Sequence, residues 1–105
     1  MDTQPITKQQ IVQRLQQARE QIVALGARRI ALFGSVVRGE AAAHSDVDLL
    51  VQFYPPSKTL RNFMALSLLL EELLQRRVDV VTTESLSPFI GPYILREAED
   101  VLVAA

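Results

Sequence analysis

The sequence predicts an α/β chain of α+β-like character, a mixed three- to four-stranded sheet with helices packed on it. Three observations carry this. Short apolar runs at 29–33, 47–53 and 78–82 have the length of buried strands. Segments of helical spacing lie between and around them. The 34–45 connection is short for a parallel crossover, which usually takes a dozen or more residues, whereas the 54–77 connection has room for a full helix. The first two strands are therefore expected to pair antiparallel, and the second and third parallel.

The elements follow in order. Thr7 and Gln10 have the spacing of a capping box. Ile11, Leu15, Ala18, Ile22 and Leu25 then fall on one helical face, and Gly26 stops the helix. The run RIALF is the first strand, and residues 36–40 have room for only a short helix. VDLLVQF is the second strand, ended by Tyr54-Pro55-Pro56. Ser57 is the expected cap of a helix over 58–75. Leu60, Phe63, Met64 and Leu74 are expected to face the sheet, with Leu66, Leu69 and Leu73 widening the apolar surface. That width suits either a deeply embedded helix or an exposed patch for a partner or for self-association into a homo-oligomer. VDVVT is the third strand, Ser87-Pro88 opens a turn, and Gly91-Pro92 restarts a helix running to about Glu99. The tail VLVAA has the character of a short edge strand.

At 105 residues, positions 1–105 are expected to form a single domain. Nearly half the residues are apolar, which excludes a disordered chain. A net charge of −1 argues against a general nucleic-acid binder. The chain has no cysteine, so disulfides and thiolate chemistry are excluded and a cytoplasmic setting is expected. No apolar run approaches the roughly 18 residues of a membrane span, and the polar start lacks the core of a signal peptide. His44, the single histidine, is a poor zinc candidate and is expected in a solvated loop.

The chemistry concentrates in FGSVVRGEAAAHSDVDLLVQF. Side chains alternate along a strand, so Asp46 and Asp48 point to one face with their Cα atoms roughly 6.5 Å apart. Two ionised carboxylates that close repel, and one has its pKa raised unless a cation joins them. Mg²⁺ answers this need, since it takes oxygen ligands from one or two carboxylates and from substrate phosphates. Asp79 holds the second position of the third strand. If strands two and three are parallel neighbours, Asp79 joins the pair at the same sheet edge. Three carboxylates can hold two metal ions about 3.5–4 Å apart, an arrangement that supports in-line nucleotidyl transfer. Gly34 and Ser35 end the first strand beside them. Glycine lets backbone approach an anion, and the N–H groups of a following helix favour phosphate.

At these residues the chain resembles the minimal nucleotidyltransferase (MNT) family of the DNA polymerase β superfamily. GSVVRGEAAAHSDVDLLV is similar to that family's Gly-Ser…Arg-Gly…Ser-Asp-x-Asp-Leu-x-Val signature, and RRVDVVT to the segment with its third aspartate. The likeness spans about residues 10 to 103, with one departure at Val36-Val37, where small or polar residues are frequent. The resemblance implies a nucleotidyltransferase fold and an antitoxin that uses ATP to place AMP on a tyrosine hydroxyl of a helical HEPN partner toxin. It implies that Gly34 and Ser35 hold the triphosphate, and that Arg38 contacts phosphate or braces the loop. It assigns both magnesium ions to Asp46 and Asp48, and the second also to Asp79, which is the candidate to assist deprotonation of the hydroxyl.

Two other functions stand beside this one: a non-catalytic module that neutralises a toxin by docking, and nucleotidyl transfer to a small-molecule hydroxyl. Three converging aspartates weigh against the first. The second usually needs an acceptor-binding domain, for which a sheet and four helices leave no residues. A separate macromolecule is therefore expected to bring the acceptor.

Overall fold

The computed structural model describes residues 4–104. Four strands, β1 (Ala27–Phe33), β2 (Val47–Phe53), β3 (Val78–Thr82) and β4 (Glu99–Val103), form one sheet in the order β3-β2-β1-β4. β1 pairs antiparallel with β2 and with β4, and β2 pairs parallel with β3. Both expected pairings are present, and the tail supplies the edge strand. It begins at Glu99, where the preceding helix was expected to end; that helix, α4 (Gly91–Glu97), stops two residues earlier.

The first helical segment is α1 (Lys8–Gln17) followed by α2 (Arg19–Ala24). The capping box is complete: the Thr7 hydroxyl accepts from the Gln10 amide, and the Gln10 side chain accepts from the Thr7 amide. The helix breaks at Ala18, whose backbone leaves the helical region (φ −110°, ψ 22°). Ile11, Leu15, Ala18 and Ile22 nevertheless stay on one buried face, and Leu25 is only partly covered.

Three local expectations are corrected. Residues 34–40 form turns rather than a short helix. Gly34 and Gly39 both take positive φ, so the helical geometry cannot extend past either. Ser57 does not cap the long helix, α3 (Leu60–Leu74). Pro55 and Pro56 fix a tight 3₁₀ turn over Pro55–Ser57, and the extended Thr59 two residues on caps the Asn62 amide with its hydroxyl.

The third correction concerns the face of α3. Leu66, Leu70 and Leu74 are buried, with Phe63, Leu69 and Leu73 partly so. Leu60 and Met64 were expected inward, yet they are 74% and 56% exposed, and Leu68 lies outward with them. The 60-64-68 and 66-70-74 rows each repeat every four residues, so apolar spacing alone could not say which one meets the sheet.

The core lies between the sheet and α1–α3. Strand parity sends Val47, Leu49, Val51 and Phe53 of β2 toward the helices, with Ile30 and Leu32 of β1. Leu70 is fully buried there. Leu70→Ala is expected to cost about 2–5 kcal/mol, read as a lower urea midpoint at unchanged slope.

Residues of the other parity line the opposite face. Between β3 and β4, residues 83–98 run from one edge of the sheet to the other. A cavity of about 420 Å³ on this side is lined by Ala31, Leu50, Gln52, Thr83, Leu95 and Ala98, with the Arg29–Asp100 ion pair.

Candidate active site

Strand pairing builds the site. Phe33, the last residue of β1, stands opposite Asp48 in β2, and Asp48 stands opposite Asp79 in β3. Residues in direct register share a face, with strands roughly 4.8 Å apart. The Val47 amide donates to the Arg77 carbonyl at 3.0 Å, continuing the ladder toward Asp46. A turn closes just upstream: the Ser45 hydroxyl accepts from the Ala42 amide at 2.8 Å. Asp46 and Asp79 are exposed, and Asp48 is half-buried between them.

Gly34 brings the backbone after β1 onto Asp48. Its φ is +81°, and a Cβ there would overlap Asp48 Oδ2 and come within 2.9 Å of Cγ. Only glycine allows both the left-handed conformation and this approach. Ser35 follows, half-buried, in the turn that returns to Glu40 through a bond from the Glu40 amide to the Ser35 carbonyl at 2.9 Å.

The electrostatics agree with this crowding. Burial, then the charges of Asp79 and Asp46, push the Asp48 carboxyl above its usual range, while Arg38 pulls it down. A carboxyl raised on folding contributes stability that is full below its unfolded pKa and lost as pH rises through its folded value. The stability gap between Asp48→Asn and the unmodified chain is therefore expected to widen in favour of the variant as pH climbs from about 3 to 7. Paired thermal melts across that range test it.

The donor set suits a hard divalent cation, since it is all carboxylate oxygen. Among the described residues, no three His, Cys, Asp or Glu side chains are drawn together tightly enough to hold a metal ion. Like charges repel and favour spread rotamers. The backbone register, rather than side-chain contact, is what aligns residues 46, 48 and 79.

Arg38 is engaged by protein carboxylates. Its Nε donates to Glu40 at 2.6 Å and its Nη1 to Glu97 at 2.7 Å. Sequence reasoning missed Glu97, which lies 59 residues away. One signal was available: a carboxylate in the last turn of a helix opposes the helix dipole, so it wants a cation nearby. His44 is exposed, in the loop where it was expected.

The nucleotidyltransferase domain family matches residues 10–103. Protein adenylyltransferase MntA of Thermococcus cleftensis is 49% identical over 72 residues, covering 69% of this chain and 72% of that protein. Among solved structures, a minimal nucleotidyltransferase superposes with a TM-score of 0.67 at 42% identity, over 84% of this chain and 93% of the other. A chain from the toxin–antitoxin complex MntA–HpeT superposes at 0.57 with 26% identity, over 82% of this chain and 72% of the other. With a family match across almost its whole length and the Gly-Ser turn set against the register-paired aspartates, this chain belongs to the nucleotidyltransferase domain family.

Proposed function

We propose that this chain is an antitoxin that transfers AMP from ATP to a tyrosine hydroxyl of a HEPN-family partner toxin, acting in the cytoplasm as a single minimal nucleotidyltransferase domain. The observation that carries the reading is the direct register of Asp48 with Asp79 beneath the Gly34 turn. Protein adenylyltransferase and toxin–antitoxin chains among its relatives support the acceptor class.

In the reaction, the acceptor oxygen forms a bond to the α-phosphorus of ATP, the bond to the bridging oxygen breaks, and pyrophosphate leaves. Gly34 and Ser35 present the backbone amides of a turn and a hydroxyl to the triphosphate. Asp46, Asp48 and Asp79 would hold magnesium, which when bound offsets phosphate charge and lowers the pKa of the attacking hydroxyl. Asp79 is exposed on the rim, where an incoming hydroxyl can give up its proton to it. Arg38 lies within the 34–40 turn, with guanidinium donors beyond those given to Glu40 and Glu97 left for phosphate.

The test is incubation with the HEPN partner, labelled ATP and Mg²⁺, followed by mass spectrometry of the partner. An AMP-sized increment on a tyrosine is expected. A partner that binds but stays unmodified would make the chain a docking module instead.

A further inference from the structure

The guanidinium of Arg38 sits on an exposed turn, yet two carboxylates hold it. Glu40 is a local partner, two residues on. Glu97 is not: it is the last residue of α4, and its side chain is only 23% exposed where it meets Arg38. Elsewhere on α4, Tyr93, Leu95 and Arg96 are exposed, while Gly91 is buried. A carboxylate at this end of a helix gains nothing from the helix dipole. Its placement makes sense through Arg38. A free arginine side chain gives up rotamer entropy when fixed, and a guanidinium already held in place loses less on binding. Two of its five N–H donors are used here, leaving the others for a ligand.

We propose that Glu97 is a positioning residue for the nucleotide: through Arg38 it holds the 34–40 turn against Asp48 in the shape that receives a triphosphate. The inference rests on the reading of Arg38 as a phosphate ligand. Glu97 itself touches neither nucleotide nor acceptor. Its carboxylate has two opposed effects, since it orders Arg38 but also adds negative charge near the phosphates. Glutamine separates them, because it keeps an acceptor for the Arg38 bond and removes the charge.

The experiment is calorimetric titration of the full chain with Mg·AMP-PNP, with melting temperatures read alongside. Glu97→Ala is expected to bind about tenfold more weakly, the worth of a lost charge-assisted hydrogen bond. Glu97→Gln is expected to stay within about twofold of the unmodified chain, because the hydrogen bond persists. The double variant Arg38→Ala/Glu97→Ala is expected to be no weaker than Arg38→Ala alone, since the two residues act as one unit. Should Glu97→Ala fail to fold, Glu97→Asp withdraws the carboxylate by one methylene and should show the same direction of loss. Affinity in Glu97→Ala equal to or tighter than the unmodified chain, or losses that add in the double variant, would overturn the proposal. Failure of the unmodified chain to bind Mg·AMP-PNP would overturn the nucleotide reading itself, and this inference with it.

Discussion

Asp48→Asn is expected to cut AMP transfer by more than about 100-fold while leaving the chain folded and more heat-stable at neutral pH. The loss should exceed the 10- to 100-fold typical of removing a group that merely supports a metal ligand. Asp48 is the central carboxylate of the three: it is in register with Asp79, two residues from Asp46, and under Gly34. Asparagine keeps the shape but loses the charge that would draw a divalent cation. The same change relieves the repulsion from Asp79 and Asp46 that disfavours ionised Asp48. Loss of activity with a gain in melting temperature is a signature that a folding defect cannot imitate. Circular dichroism melts and the labelled-ATP assay read the two effects on one preparation. Unchanged transfer in both Asp46→Asn and Asp48→Asn would reject the site.

Gly34→Ala is expected to abolish transfer as well, but with a fall in stability. A residue with a side chain at φ +81° carries left-handed strain, of order 1–3 kcal/mol. The added methyl also occupies the space of Asp48 Oδ2, so either the carboxylate or the turn must move. Both moves take the backbone amides of the turn away from the aspartates. The opposite stability signs of Asp48→Asn and Gly34→Ala, with a shared loss of activity, separate charge from shape at one location. A Gly34→Ala chain that retains transfer would show that the turn is not part of the site.

The common face of residues 46, 48 and 79 was legible because strand parity and parallel pairing are both fixed by short-range features. Apolar runs set the strands, prolines end them, and the length of each connection decides direction. The bounds of β2 and β3 followed directly from this, and β1 was found two residues longer at its start. The orientation of α3 was not legible, since two leucine-rich rows competed and only the sheet decides between them. The cap at Thr59 rather than Ser57 depended on how two prolines spend the chain between them. The Arg38–Glu97 pair joins segments that only the finished tertiary structure brings together. A local charge pattern could hint that Glu97 wanted a cation, but not which one.

The pairing of β1 with β4 has a kinetic consequence. Arg29 finds its partner Val103 roughly seventy residues later in the chain. Contacts of such long sequence separation close late and raise the topological barrier to folding. The strand beside the aspartate rim therefore waits on β4, made later in the chain, with one edge open until it arrives. A pulse-labelled hydrogen-exchange experiment should find the amides of the β1–β4 ladder protected after those shared by β1 and β2.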